Sequence, residues 1–140
     1  MLITNGRVLH FTRIEANSGL RVADGRILAI DPELAAEPGE QVIDAAGNYV
    51  LAGLIDLHNH GLLHVAAQSD SLVEYAQLLL EVGVTTGMPA LVGAPQENIE
   101  AMQRGLRETD RFRLTPNLIG FRPEISYIAK TGAGSAASLT

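Results

Sequence analysis

Two histidines at the end of an apolar run are the residues of this chain best suited to chemistry. His58 and His60 are separated by one residue and follow the nearly continuous apolar segment 51–57. Alternate side chains of a β-strand lie on one face, so both imidazoles would project the same way. Two imidazoles on one face can bind one divalent ion, with Zn–N distances of about 2.0–2.1 Å. The spacing therefore predicts a metal site rather than two histidines that make ordinary hydrogen bonds.

Two neighbours of the histidine pair fit the same interpretation. Asp56 lies two residues before His58, on the same predicted strand face, where a carboxylate can orient a metal ligand from behind. Gly61 follows His60 directly, and glycine lets the chain turn sharply as it leaves a strand. A bare His-x-His pattern is a weak signal, but its place at the end of an apolar strand makes the metal interpretation the favoured one.

The chain after its first fifty residues alternates between strand-like and helix-like patterns. The apolar run over residues 51–57 is typical of a strand buried on both faces of a parallel sheet. Periodic apolar residues predict helices over residues 69–82 and 95–108, and apolar runs predict strands over residues 84–92 and 114–124. The order strand, helix, strand, helix, strand predicts an α/β fold with a parallel sheet.

The ends and inner faces of the two helices can also be predicted. Asp70 or Ser71 is suited to cap the first helix, and Gly83 to end it. Pro95 is suited to the first turn of the second helix. The residues expected to face the core are apolar and helically spaced: Leu72, Tyr75, Leu79 and Val82 in the first helix, and Ile99, Met102 and Leu106 in the second.

The first fifty residues read as short strands joined by tight turns. Asn5-Gly6 and Asp24-Gly25 are both strong signals for two-residue hairpins. Residues 32–40 are polar and contain proline, which predicts a loop. We therefore expect two domains: a β-rich, sandwich-like unit over residues 1–50, and an α/β unit over residues 51–140 that carries the histidines.

Composition excludes several classes of function. The 140 residues include 46% hydrophobic and 19% charged residues, a balance typical of a soluble globular protein, and a cytoplasmic location is expected. The net charge of −6 disfavours nucleic acid and anionic membrane surfaces as partners. Cysteine is absent, so neither a disulfide framework nor a thiolate metal site is possible.

Several short motifs together resemble the amidohydrolase superfamily and, within it, the N-acetylglucosamine-6-phosphate deacetylase family. They are LAGLIDLHNHG at residues 51–61, GVTT at residues 83–86 and PALV at residues 89–92, preceded by VIDAAG at residues 42–47. The resemblance implies the first β/α units of a metal-dependent hydrolase of the TIM-barrel type. A closed barrel takes roughly 250 residues, so we expect the barrel of this chain to be incomplete.

The resemblance also implies a third metal ligand. Glu124, in the motif GFRPE at residues 120–124, takes the position of a glutamate that binds the catalytic metal near the end of the third barrel strand. His58, His60 and Glu124 are then the metal ligands, and zinc is the expected ion. Arg122 stands where the deacetylases usually have a histidine; it is a candidate to pair with Glu124 or to meet an anionic substrate.

Weaker candidates lie on either side of these ligands. His64 could line the mouth of the site, although a loop histidine without a catalytic role is an equal alternative. The glycine-containing segment 131–135 could bind phosphate through backbone amides, with a flexible terminus as the favoured alternative. Gly134 stands where the deacetylases have a histidine that contacts substrate.

The expected function is hydrolysis of an amide bond in a small N-acylated molecule, with an N-acetylated amino sugar phosphate as the first candidate substrate. A cyclic amide or an N-acyl amino acid is the alternative that the departure at Arg122 keeps open. A non-catalytic binding or assembly role is a third. No residue is evident as the general base, so we expect the isolated chain to be inactive, and its open sheet edges predict a homo-oligomer or poor solubility.

Overall fold

The computed structural model describes residues 1–10, 12–68 and 70–124. The chain forms two compact units, Met1–Ala52 and a second one that begins at Gly53. The predicted phosphate-binding segment 131–135 lies outside the described residues, as does Gly134. In the described part of the chain, no helix has the length and apolar character needed to cross a membrane.

The first unit is built on one five-stranded sheet. Its strands are β1 (Leu2–His10), β2 (Arg13–Ala23), β3 (Arg26–Asp31), β4 (Val42–Asp44) and β5 (Tyr49–Val50). β1, β2 and β3 form an antiparallel meander, and Asp24 and Gly25, with φ angles of 50° and 70°, form the predicted turn between β2 and β3. The sandwich-like arrangement expected for this unit is not seen in its described residues, because β4 and β5 extend the same sheet alongside β1.

The predicted hairpin at Asn5-Gly6 is wrong, because β1 runs through both residues. Asn5 has a φ of 54°, and the pairing of β1 with β2 shifts register between Ile3 and Gly6, which marks a β-bulge. Asn5 binds the segment that joins β4 to β5: its amide donates to Asp44 (3.0 Å), and its carbonyl accepts from Gly47 N–H (2.8 Å). β1 therefore pairs in parallel with β4 before the bulge and with β5 after it.

The second unit has the predicted alternation of strands and helices. Its elements are β6 (Leu54–Asn59), β7 (Gly61–Leu62), β8 (Val65–Ala66), α1 (Leu72–Glu81), β9 (Val84–Val92), α2 (Pro95–Glu108) and β10 (Arg122–Glu124). A three-stranded sheet in the order β10-β9-β6 has only parallel pairs, so the predicted parallel sheet is confirmed. The strand expected over residues 114–124 is shorter, since only its last three residues pair continuously with β9.

Helix α1 follows its sequence pattern closely. The hydroxyl of Ser71 accepts a hydrogen bond from Glu74 N–H (3.3 Å), so Ser71 is the N-cap. Gly83 has a φ of 84° and follows the helix as predicted. Three of the four predicted core residues are buried: Leu72, Tyr75 and Leu79. Val82 is half-exposed because it is the C-cap, where the chain leaves the inner face of the helix.

Helix α2 has the predicted bounds but not the predicted inner face. The three apolar residues expected in the core are half-buried or exposed: Ile99, Met102 and Leu106. The buried residues are smaller or polar: Asn98, Ala101 and Gly105. A Cβ atom on Gly105 would lie 2.4 Å from Leu72 Cδ1 and 2.8 Å from Phe121 Cζ. The helix therefore comes too close to its neighbours for a bulky residue at this position.

The apolar sequence of β6 predicts a strand that is buried on both faces, and this prediction is wrong. Leu54, Ile55 and Leu57 are 57%, 68% and 45% exposed. β6 lies at the edge of the sheet and pairs only with β9 among the described strands. Both helices pack on β9, so the central strand takes the buried position that the sequence predicts for β6.

Candidate metal centre

The carboxyl ends of β6 and β10 bring the three predicted ligands together. His58 is the last residue but one of β6, His60 follows that strand, and Glu124 is the last residue of β10. One ligand atom from each of these side chains lies within 4.8 Å of the other two. Within the described residues, this is the group of His, Asp and Glu side chains close enough to share one ion. Its role as a metal site stays a prediction.

The Glu124 carboxylate lies between the two imidazoles. One of its oxygens contacts His58 Nε2, and the other lies 3.8 Å from His60 Nε2. The two imidazole rings are 5.2 Å apart between centroids and meet edge to face. The side chains of His58, His60 and Glu124 are 46%, 51% and 32% exposed, so water and a small substrate can reach them.

The ligand set fits a divalent ion of the zinc type. Imidazole nitrogens and a carboxylate oxygen are ligands that zinc accepts, and catalytic zinc sites commonly have three protein ligands with one open position. Two nitrogens and one oxygen also disfavour calcium and magnesium, which prefer oxygen ligands. The three residues therefore fit a catalytic type of centre better than a closed structural one.

Asp56 and Asn59 fix the backbone of the histidine pair. One carboxylate oxygen of Asp56 accepts from His58 N–H (3.1 Å), and the other accepts from the Asn59 side-chain amide (2.9 Å). Asn59 in turn accepts from Gly61 N–H (2.8 Å) through its side-chain oxygen. The Asn59 amide, with the His58 N–H, holds the pKa of Asp56 below its usual range. Asp56 thus forms its hydrogen bond with the backbone of His58 and not with its imidazole.

Tyr75 is a buried polar group near this end of β6. It is fully buried in α1, and its hydroxyl has no hydrogen-bond partner among the described residues. Burial, together with the charge of Asp56, raises the pKa of Tyr75 to about 12. The sequence pattern identifies Tyr75 only as a core residue and gives no sign of the orphaned hydroxyl.

A further contact with the ligand set comes from α2. The side-chain amide of Asn98 donates a hydrogen bond to the backbone carbonyl of Glu124 (3.1 Å). Sequence reasoning missed this residue because it looked for apolar spacing. The signal was a second helix face with small or polar side chains at spacings of three and four: Asn98, Ala101 and Gly105.

Two other candidates form no hydrogen bond or ion pair with the side chains of His58, His60 and Glu124. His64 is exposed, and its Nε2 lies 3.1 Å from a carboxylate oxygen of Glu74 on α1. Arg122 is exposed and forms no salt bridge with Glu124, whose carboxylate contacts His58 instead. The predicted pairing of Arg122 with Glu124 is therefore wrong, and contact with an anionic substrate stays a prediction for Arg122.

Comparisons with known proteins bear on this centre. The chain is 32% identical to a dihydroorotase of Bacillus pumilus over 119 residues, which are 82% of this chain and 28% of that protein. It is 33% identical to an N-acetylglucosamine-6-phosphate deacetylase of Haemophilus influenzae over 92 residues, or 62% of this chain and 24% of that protein. An adenine deaminase of Geobacillus kaustophilus is 34% identical over 87 residues, covering 61% of this chain and 14% of the relative. No family model matches the chain.

Solved structures show the same fold. The N-acetylglucosamine-6-phosphate deacetylase of Pasteurella multocida aligns with a TM-score of 0.70 at 24% identity, over 91% of this chain and 35% of that one. The enzyme of the same name from Thermotoga maritima gives 0.68 at 18% identity, over 93% and 33%. The relatives and structural neighbours of this chain are amidohydrolase-superfamily proteins. The resemblance to that superfamily is confirmed, and the chain spans about a quarter of the length of the first two curated relatives, 28% and 24%.

Proposed function

We propose that this chain provides the metal-binding part of an amidohydrolase that cleaves a non-peptide amide bond. The convergence of His58, His60 and Glu124 at the carboxyl ends of parallel strands is the observation that carries the proposal. Members of the amidohydrolase superfamily use divalent metal ions. Zinc is the proposed ion, because two imidazoles and a carboxylate suit it.

The proposed roles of the residues follow from their contacts. An ion bound here supplies Lewis acidity, which activates water near neutral pH and polarises a carbonyl oxygen. His58, His60 and Glu124 would hold the ion, and Asp56 fixes the backbone of His58. Amide hydrolysis also needs a group that carries a proton to the leaving amine. Both oxygens of Asp56 already accept hydrogen bonds, so we do not assign this role to Asp56. We therefore propose that the 140-residue chain alone turns over slowly or not at all.

The proposed substrate is an N-acetylated amino sugar phosphate such as N-acetylglucosamine-6-phosphate. The 33% identity with the Haemophilus influenzae deacetylase and the motifs at residues 83–86 and 89–92 support it. A cyclic amide is the second candidate. It is supported by the longer alignment with the dihydroorotase of Bacillus pumilus, 119 residues against 92, and by Arg122 in place of the histidine usual in deacetylases.

Zinc binding tests the metal centre directly. The affinity of the full chain for Zn²⁺ is measured by competition with a chromogenic chelator, for the wild type and for His58→Ala. His64→Ala is the matched control, because it removes an exposed imidazole that is paired with Glu74 outside the centre. We expect binding of one ion that His58→Ala abolishes and His64→Ala retains. Equal binding by the wild type and His58→Ala would contradict the proposed centre.

Product analysis then tests the substrate and the activity of the chain. The zinc-loaded protein is incubated with N-acetylglucosamine-6-phosphate, dihydroorotate or adenine, and release of acetate, ring opening or release of ammonia is followed. We expect only a trace of acetate and none of the other products. Ring opening of dihydroorotate that depends on His58 would favour the cyclic amide. Turnover near the typical enzyme rate of about 10 s⁻¹ would contradict the proposal that the chain alone is inactive.

A further inference from the structure

Asn98 is a polar residue at a buried position of a helix, where apolar residues are usual. It is 1% exposed and lies on the inner face of α2 with Ala101 and Gly105. Burial of an amide without hydrogen bonds is unfavourable in proteins, so a buried asparagine needs a hydrogen-bond partner. Its side-chain oxygen has no hydrogen-bond partner among the described residues. The hydrogen bond made by its side-chain nitrogen is therefore the one that explains a buried asparagine at this position.

That bond ends on the strand that supplies the carboxylate ligand. Asn98 Nδ2 donates to the backbone carbonyl of Glu124 at 3.1 Å. β10 has only three residues and pairs with β9 as its only neighbour among the described strands. Asn98 itself is held in the first turn of α2, where its N–H donates to the carbonyl of Ala94 (3.1 Å). A rigid helix thus supplies a second attachment for the end of a short strand.

The two sides of the metal centre are fixed by different means. His58 lies on β6 and His60 directly follows that strand, and hydrogen bonds that involve Asp56, Asn59 and Gly61 set their backbone locally. Glu124 comes from a separate strand, so its distance from the histidines depends on where the end of β10 lies. Metal–ligand distances tolerate only about ±0.2 Å, so a small shift of that strand would misplace the carboxylate.

We propose that Asn98 is a positioning residue of the metal centre, which holds the backbone of Glu124 so that its carboxylate faces His58 and His60. This inference rests on the proposed metal-binding function. It assigns to α2 a role beyond packing: the helix sets the place of the one ligand that does not come from the His-x-His segment. Asn98 touches neither ion nor substrate, so it acts only through Glu124.

The chain offers a matched control for this role. Asn117 is also buried, and its side-chain amide also donates to a backbone carbonyl, that of Ala76 at 2.9 Å. Asn98→Ala and Asn117→Ala therefore each remove one buried hydrogen bond from asparagine to a carbonyl, and only the first of these bonds ends at Glu124. Zn²⁺ affinity is measured by chelator competition, the absorption spectrum of bound Co²⁺ reports ligand geometry, and thermal unfolding without metal reports stability.

We expect both variants to lower the melting temperature, and only Asn98→Ala to weaken zinc binding, by about tenfold, as loss of a group that orients a metal ligand typically does. The Asn98→Ala protein should also show an altered Co²⁺ spectrum. Equal changes of zinc affinity in the two variants, or none in Asn98→Ala, would overturn the inference.

A second variant keeps the inference testable if the Asn98→Ala protein does not fold. Asn98→Leu fills the space of the side chain but has no donor, and the same weakening relative to Asn117→Ala is expected of it. Affinity of Asn98→Leu equal to that of the wild type would overturn the inference. If the wild type itself binds zinc no better than His58→Ala, the proposed metal centre is wrong and the inference falls with it. If the wild type binds and Asn98 makes no difference, only the inference is wrong.

Discussion

Strands β6 and β9 lie side by side and have similarly apolar sequences, yet the structure uses them differently. β9 has partners on both sides, and its residues Ala90 and Leu91 are buried. β6 is an edge strand with Ile55 largely exposed, and it presents His58. The difference teaches that the place of a strand in the sheet, rather than its composition, decides whether it supplies core or chemistry.

The comparison extends to β10, because the two strands that carry the proposed ligands His58 and Glu124 flank β9. Neighbouring strands lie about 4.8 Å apart, so β6 and β10 are separated by roughly 10 Å. The ligand atoms of His58 and Glu124 nevertheless approach to contact distance, since their side chains reach across the carboxyl end of β9. The central strand thus provides the buried support, and its two neighbours bring the proposed ligands together at an accessible end of the sheet.

The largest effect is expected from removing ligands on the flanking strands. His60→Ala and Glu124→Ala should each weaken Zn²⁺ binding by more than about 100-fold, since loss of groups that only orient ligands already costs about 10- to 100-fold. Thermal unfolding without metal should change little, because both side chains are partly exposed. Isothermal titration with Zn²⁺ checks this. Wild-type affinity in Glu124→Ala would show that β10 takes no part in the site.

The reverse behaviour is expected on the central strand. Leu91 is fully buried in β9, so Leu91→Ala should lower the free energy of unfolding by about 2–5 kcal/mol, through lost burial and the cavity left behind. The zinc affinity of the folded protein should stay within about threefold, because none of the three proposed ligands lies on β9. The tolerance of about ±0.2 Å in metal–ligand distances applies only to the ligand atoms. Urea unfolding and zinc titration check the two halves of this prediction. A large loss of zinc affinity would show that support and chemistry are not separable.

An intermediate effect is expected at Asn59, which links Asp56 to Gly61 within the edge strand and its exit. Asn59→Ala removes both hydrogen bonds without removing a ligand, so zinc affinity should fall by about tenfold. Chelator competition measures it, with His64→Ala as the control for general effects of the substitution. An unchanged affinity would mean that the backbone alone holds the two histidines in place.

The smallest effect on stability is expected at Ile55, which is 68% exposed on β6. Ile55→Thr should change the free energy of unfolding by less than about 0.5 kcal/mol, as is usual for exposed positions. It should reduce self-association, because exposed aliphatic residues on an edge strand favour pairing between copies of a chain. Sedimentation velocity compares the variant with the wild type. A monomeric wild type would contradict the homo-oligomer that the sequence predicts.

Local signals in the sequence were sufficient for much of the second unit. The bounds of β9 follow from an apolar run, those of α2 follow from apolar periodicity and Pro95, and Ser71 is recognisable as a cap. The proximity of His58 and His60 follows from their spacing of two residues at the end of β6. The proximity of Glu124 came from the family resemblance, since nothing local indicates which strand lies near β6.

The features that sequence reasoning missed depend on partners distant in the chain. The inner face of α2 is set by Leu72 and Phe121, which leave no space for a side chain at Gly105. The exposure of β6 depends on the order of strands in the sheet, which periodicity does not encode. Asn98 was missed because it is polar, so apolar spacing does not identify it, and because its partner lies 26 residues further along the chain.

The bulge at Asn5 has a consequence for the order in which the first unit folds. One edge of β1 is shared between β4 and β5, and the contact of Asn5 with Asp44 spans 39 residues. The β1–β2–β3 meander closes through short turns and loses less chain entropy before its strands can pair. We therefore expect the meander to form first and to serve as a template. The segment that contains β4 and β5 then pairs with β1 late in folding. Asn5 lies at the point on β1 where pairing with β4 ends and pairing with β5 begins.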